Sequence, residues 1–351
     1  MRVIELDLFR FIAAFGVVLY HYVAWFSTDY PQGSILIDNV SELTQFGFLG
    51  VPLFFMISGF VILASAMHRT NTEFVASRIA RLYPVYWLCV SITGLFILMG
   101  ADIDKPLELK TYLINLTMLH SFIGVGSLDG VYWTLAKEIQ FYFCIFLLMF
   151  FRVLKRVKIW LILWLLLTLS FMLFQQPFFM GWFITPEYSA FFIAGVCFYM
   201  LLKGDDSEFY IKCLYSSLIL ASVSTYHQAA GFLQYPTVLT RMICVLIVAI
   251  FYWFFWLVVN KKIQLKESKM LLTFGAMTYP LYLIHNVVGK FILDKLLSPL
   301  GPELAILTVR LIMLFASYLI YVLYEKRVSP QLKIVLFLVL NNIQSSFSRG
   351  K

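Results

Sequence analysis

Residues 7–26, DLFRFIAAFGVVLYHYVAWF, form a twenty-residue stretch with one acid, one guanidinium and one imidazole: Asp7, Arg10 and His21. As an α-helix the stretch rises about 30 Å, the thickness of a bilayer's hydrocarbon core. It therefore reads as a membrane span. Asp7 and Arg10 stand at its start and no small-residue cleavage site follows Trp25, so it is expected to be retained rather than removed as a signal peptide. The rest of the chain has the same character. Of 351 residues, 61% are hydrophobic and 13% charged, and the mean hydropathy is +0.85. A soluble domain is about 45–50% apolar and about 25% charged. Too few polar side chains exist to coat a water-facing surface. That excludes an ordinary cytosolic enzyme, a disordered chain and a secreted disulfide scaffold. An all-α, polytopic membrane protein fits, and the 35 Phe and 20 Tyr suit lipid-facing and interfacial surface.

Runs of about 20 mostly apolar residues recur at 7–26, 46–66, 83–100, 132–151, 158–174, 187–203, 209–226, 237–259, 270–291 and 303–324. They predict about ten transmembrane helices. The stretch 111–123 is amphipathic and too short to span, which places it at the interface or as a re-entrant piece. Residues 1–330 are expected to form the transmembrane domain and 331–351 a short cytoplasmic tail. The net charge of +8 and pI of about 9.1 read as a positive-inside excess, not a nucleic-acid surface. With the N-terminus inside, 20 of the 27 Lys and Arg fall in cytoplasmic segments, so both termini are expected there. Cys89, Cys144, Cys197, Cys213 and Cys244 lie in or beside apolar runs without a C-x-x-C pair. They read as small buried hydrophobes, not disulfides or metal ligands.

A charge at mid-bilayer costs several kcal/mol and marks a functional site by default. The exceptions to the otherwise clean spans are Arg10, His21, Lys137, Glu138, His285 and Arg310. Arg10 and His21 lie within about 20° of one another around an α-helix and about 16 Å apart along it. Counting along the helices puts His21 about 21 Å and His285 about 22 Å above the cytoplasmic side, with Glu138 about 9 Å below the outer end. In a core about 30 Å thick all three fall in the outer half, which favours one buried polar site. Taken singly, Arg10 also fits a snorkelling rim charge and His21 an interhelical hydrogen bond. Lys137 reads as snorkelling outward and Arg310 as a structural partner.

On the cytoplasmic side, Arg78-Ile-Ala-Arg81 puts two guanidinium groups on one helical face, ahead of Leu82-Tyr83-Pro84, where the third span is expected to start. Two such forks suit bidentate phosphate binding; an ordinary basic flank looks the same. In the second span Gly47, Gly50, Pro52, Ser58 and Gly59 interrupt a Phe-rich helix. This predicts either a broken helix beside a cavity or tight small-residue packing. In the fourth span Trp133 lies five residues before Glu138, and Tyr142 one turn after it. In the ninth, Thr278, Tyr282 and His285 rise along one face, with Pro280 available to loosen the ladder.

Together these elements resemble the membrane acyltransferase-3 family of bacterial O-acyltransferases. The run from Leu6 through Arg10 to His21-Tyr22 resembles its opening R-x10-H segment, and Gly50 to Phe60 its second-span motif. Arg78-x-x-Arg81 with Tyr83-Pro84 resembles its R-x-x-R signature. Trp133-Thr134-Leu135-Ala136-Lys137-Glu138 resembles its W-S-L-x-x-E element, and Thr278-Tyr279-Pro280-Leu281-Tyr282-Leu283-Ile284-His285 its S-Y-P-x-Y-L-x-H element. Both have Thr for the usual Ser, which keeps the hydroxyl. The likeness runs from about residue 5 to 330.

The resemblance implies a multi-pass protein of the bacterial cytoplasmic (inner) membrane. It implies cytoplasmic acetyl-CoA as co-substrate, no bound cofactor or metal, and an acceptor hydroxyl on a cell-surface or lipid-linked glycan. Some members carry a further hydrolase-like domain; this chain is expected to work without one or with a separate partner. On this reading His21 is the general base and Glu138 orients it or binds the sugar. Arg78 and Arg81 hold the CoA phosphates, and Arg10 orders the donor or braces its entry. Ser58, Trp133, Tyr142, Tyr282 and His285 line the pocket, with Ser58 and Tyr282 as candidate oxyanion donors. Direct transfer and a covalent acyl intermediate are both open. The alternative is a secondary transporter or flippase for a glycan or lipid-linked sugar, since ionisable groups in spans suit that too.

Overall fold

The computed structural model describes residues 3–26, 35–101, 107–175, 181 and 183–349. Arg2, Lys105 and Lys351 of the Lys/Arg tally lie outside them. Among the described residues the chain is helical throughout, with fourteen α-helices and no strand. They group into two compact units, residues 1–64 with 137–275 and residues 65–136 with 276–351.

The first unit opens with α1 (Ile4–Leu19), continued by a π-helical turn at Tyr20–Trp25. Next come α2 (Ile35–Thr44), a 3-10 turn and α3 (Gly50–Ala66), which passes out of the unit at its last two residues. From Lys137 the unit takes most of α6 (Trp133–Phe150), then α7 (Val157–Phe174), α8 (Pro186–Leu202), α9 (Ser207–Phe232), α10 (Val238–Val259) and the start of α11 (Lys269–Ile284). Helix α8 is apolar all round and buried along nearly its whole length, so it forms the unit's centre. The glycines of the second span pack closely on neighbouring helices, with Gly47 in the 3-10 turn and Gly50 at the start of α3. A Cβ on Gly59 would overlap the Phe192 carbonyl of α8, and one on Gly195 the Met56 carbonyl of α3. Gly47 and Gly50 meet Gly16 and Ala13 of α1 in the same way. Buried hydroxyls tie the remaining helices: Trp164 Nε1 donates to Ser189 Oγ (3.1 Å) and Ser224 Oγ to the Glu187 carbonyl (2.6 Å).

The second unit is built on α4 (Asn71–Leu98). The third span was expected to begin at residue 83, but the helix starts twelve residues earlier, because Thr70 and Glu73 form a reciprocal capping box there. Pro84 lies inside it, and the Tyr279 hydroxyl donates to the nearby Leu82 carbonyl (3.2 Å). The amphipathic stretch 111–123 begins within α5 (Leu109–Leu116). The C-terminal carbonyls of that helix are taken by α4: Tyr86 Oη donates to Asn115 O (2.9 Å), Trp87 Nε1 to Leu116 O (3.0 Å) and Tyr83 Oη to Thr117 O (2.9 Å). After the start of α6 and the end of α11 come α12 (Val287–Leu300), α13 (Pro302–Leu319), a second π turn at Ile320–Glu325 and α14 (Lys326–Arg349). The stretch read as a tail thus forms α14, which packs along α4.

Among the described residues, seven helices are long and apolar enough to cross a membrane, or eight if α11 and α12 count as one broken span. Of the ten expected spans, 187–203 and 209–226 lie outside this set. Both are helices, but α8 has only 17 residues and α9 carries Glu208, Lys212, His227 and several Ser. The ninth span is not continuous: α11 and α12 meet at 74° around His285–Asn286, not at Pro280. All five cysteines are free thiols, four of them buried.

One loop residue gives a pH dependence. His120 is buried, its ring nitrogens have no hydrogen-bond partner among the described residues, and burial lowers its pKa. A folded value below the unfolded one, about 6.5, makes the neutral ring's contribution complete above that pH. The contribution is lost as pH falls through the folded value. The melting temperature is expected to drop as pH falls below about 6.5, and His120→Phe to flatten the drop. An identical slope in the variant would assign the effect to another group.

Candidate active site

His21 sits in the π turn that ends α1. Here the helix widens: the Phe26 N–H reaches back five residues to the His21 carbonyl (3.0 Å). Such turns are rare and cluster at functional positions. The turn is pinned from outside, with the Tyr20 hydroxyl donating to the Phe232 carbonyl and Gln234 Nε2 to the Ala24 carbonyl, both 2.8 Å. The half-buried imidazole lies edge-on to Tyr20, ring centres 5.1 Å apart. The uniform α pitch assumed between Arg10 and His21 therefore ends at Leu19. Arg10 pairs with Asp7 one turn back (Nη1 to Oδ1, 3.6 Å), and buried Asp7 packs on Gly275 of α11.

Three predicted residues come together in the first unit. Ser58 Oγ donates to Glu138 Oε1 (2.6 Å), and Tyr142 Oη donates to the same oxygen (2.5 Å). The local sequence explains the placement. Gly59 lets α3 lie against the α8 backbone, which fixes the neighbouring Ser58, while Tyr142 follows Glu138 by one turn of α6. Among the described residues both hydrogen bonds given to Glu138 fall on Oε1. Ser58 has a single proton and spends it on Glu138, so its expected oxyanion role does not fit this geometry.

In the second unit the break between α11 and α12 is clasped by residues 129–134. Buried Asp129 accepts from Asn286 Nδ2 (2.8 Å), Val287 N (3.0 Å) and Val131 N (3.1 Å), so it caps α12 and the turn before α6 together. Thr134 Oγ1 and Tyr282 Oη lie 3.0 Å apart, and Tyr132 Oη donates to Leu283 O (3.3 Å). His285 is fully buried at the break, with Nδ1 2.7 Å from the Tyr282 carbonyl. Trp133 opens α6, half-buried. Arg310 Nε donates to Ile306 O on its own helix (3.1 Å).

Arg78 and Arg81 share α4 but engage different partners. Arg81 Nη1 pairs with buried Glu325 of the second π turn, and Arg78 Nε donates to Ser77 Oγ (3.3 Å). Sequence reasoning missed Asp129, whose Asp-Gly reads as an ordinary turn signal. It also missed Glu325, which looks like the edge of a basic flank, and Asp7 as a partner for Arg10, which the i, i+3 spacing made readable. Among the described residues no group of three or more His, Cys, Asp and Glu is placed to hold a metal ion.

A family model described as an acyltransferase domain matches residues 3–325, which include every candidate residue above. The chain belongs to the acyltransferase-3 family. Among curated proteins, it is 26% identical over 157 residues to nodulation protein 10 of Rhizobium leguminosarum bv. viciae, covering 39% of this chain and 41% of that protein. It is 34% identical over 102 residues to the exopolysaccharide production protein ExoZ of Rhizobium meliloti (strain 1021), covering 27% of this chain and 32% of that protein. The chain thus spans less than half the length of these relatives. No solved structure matches it. The acyltransferase-3 match and the long apolar helices make this a multi-pass membrane protein.

Proposed function

We propose that the chain is an integral-membrane O-acetyltransferase that moves an acetyl group from cytoplasmic acetyl-CoA to a hydroxyl of a cell-surface or lipid-linked glycan. Family membership and the exopolysaccharide relative support the reaction class and the acceptor class. The observation that carries the reading is the Ser58–Glu138–Tyr142 cluster. A carboxylate among apolar helices, with one oxygen fixed by two hydroxyls, is held to orient another group and not to satisfy a structural pair.

In this reading His21 accepts the proton of the acceptor hydroxyl as that oxygen attacks the thioester carbonyl. The carbon–sulfur bond then breaks, and the proton passes from His21 to the departing CoA thiolate. Glu138 orients the imidazole or the sugar. Arg78 takes donor phosphate, Arg81 is balanced by Glu325, and Arg10 braces α1 through Asp7. Trp133, Tyr282 and His285 are assigned to the pocket. The membrane is the bacterial cytoplasmic membrane, with both termini inside.

A gene deletion tests enzyme against transporter. Cells lacking the chain are expected to export normal amounts of surface glycan without its ester-linked acetyl groups, as measured by glycan mass spectrometry. Loss of export itself would favour a transporter.

A further inference from the structure

Helix α1 and the segments flanking α10 are tied at both ends. At one, the Leu265 N–H donates to Glu5 Oε1 (2.6 Å). At the other, Phe232 and Gln234 hold the π turn that carries His21. The chain then runs directly into α10, which Thr237 caps. Arg241 is the fourth residue of that helix. It therefore stands within about 5 Å of the helix start, at the His21 end of the unit.

The side chain rests on an aromatic support. Its guanidinium carbon lies over the Tyr226 ring of α9, 5.5 Å from the centroid. His227 meets that ring edge-on, with centres 5.8 Å apart and planes at 87°. Arg241 Nε is buried and has no hydrogen-bond partner among the described residues. The residue as a whole is half-buried, so the rest of the fork is reachable. Among the described residues Arg241 forms no ion pair. Glu187, near the start of α8, is joined to α9 only through its backbone carbonyl, which Ser224 Oγ and Gln228 Nε2 share (2.6 and 3.0 Å). The positive end of the α10 dipole adds to the charge instead of offsetting it. A cation so placed in an apolar span calls for an anion. Val238, one turn back on the same face, and Met242 beside it are 65% and 54% exposed. The fork thus emerges among side chains that meet lipid, at the edge of a span. A planar fork stacked on a ring and open at its far side suits phosphate.

We infer that Arg241, stacked on Tyr226, binds the phosphate of a membrane lipid, and that this lipid is the carrier of the glycan acceptor. This rests on the acceptor reading above and narrows it to a glycan joined to its carrier through phosphate. Arg241 holds the carrier and not the reacting hydroxyl, so it sets acceptor affinity and not the rate of the transfer step.

The test is titration of a polyprenyl diphosphate into the purified full chain in phosphatidylcholine nanodiscs, with bound lipid counted by native mass spectrometry. The wild-type chain is expected to bind it saturably, and Arg241→Gln about tenfold more weakly, the value of one charge-assisted hydrogen bond. Tyr226→Leu is expected to weaken binding severalfold, and Tyr226→Phe, which keeps the ring, to bind as wild type. Wild-type affinity in Arg241→Gln would overturn the inference. So would displacement of the diphosphate by an equal amount of phosphatidylglycerol, which would make the seat one for bulk phospholipid. If Arg241→Gln does not elute as a folded species, Tyr226→Leu is read in its place: weaker binding supports the seat and unchanged binding overturns it. In acetyl transfer to lipid-linked glycan, Arg241→Gln is expected to raise KM for the glycan about tenfold at unchanged kcat; a lower kcat at unchanged KM would contradict the assignment. Absence of transfer by the wild-type chain would end the acetyltransferase reading, while the titration, which needs no turnover, would still decide the role of Arg241.

Discussion

His21→Ala is expected to abolish acyl transfer while the protein stays in the membrane at its normal level. A positioned general base is worth about 10²–10⁴ in rate, and here no second imidazole is placed in the first unit's π turn to replace it. The fold should tolerate the change. The turn is held by the Tyr20 hydroxyl and the Gln234 amide, each bonded to a backbone carbonyl. The measurement is ester-linked acetyl on surface glycan in cells complemented with either form at matched protein levels. Unchanged acetylation in the variant would remove His21 from the chemistry.

The second large effect is expected at Glu138. Removing its carboxylate leaves the Ser58 and Tyr142 protons without their acceptor. Hydrogen bonds to a charged group contribute about 1.5–3 kcal/mol each, less here because Glu138 is half-buried. Glu138→Ala should therefore lower both the melting temperature and turnover, the latter by about 100-fold. Glu138→Gln separates the two effects. Its amide oxygen still accepts both protons, so the fold should survive, while loss of the charge should still cost at least about tenfold in turnover. Full activity in Glu138→Gln would show that the carboxylate serves packing alone.

The membrane class was legible from the first twenty apolar positions because burying a charge in hydrocarbon is costly wherever the helix sits. The same rule picked out His21, Glu138 and His285 as exceptions. Geometry that depends on neighbours was not legible. Nothing in Tyr20–Trp25 distinguishes a π turn from α-helix, and the groups bonded to that turn, Phe232 and Gln234, lie more than 200 residues away. No break was expected in the ninth span, where Pro280, the residue that lacks a donor, only offered to loosen the ladder. The break lies where buried Asp129 offers an acceptor to the first N–H of α12. Arg81 read as a phosphate ligand because its spacing from Arg78 was visible, whereas the buried Glu325 that engages it comes from α13's π-wound end. Two of the ten expected spans, 187–203 and 209–226, also lie outside the helices that are long and apolar enough to cross a membrane. A hydropathy run marks an apolar helix but does not separate one that meets lipid from α8, which is buried within its own unit.

The central claim is transfer of an acyl group from a CoA thioester to a glycan hydroxyl. It is tested most directly by incubating the purified chain in proteoliposomes with acetyl-CoA labelled in the acetyl group and with lipid-linked glycan from a deletion strain. The glycan is then read by mass spectrometry. The account predicts label in ester linkage on the sugar with the wild-type chain and none with His21→Ala. Unlabelled glycan with the wild-type chain, or equal labelling in both, would contradict it.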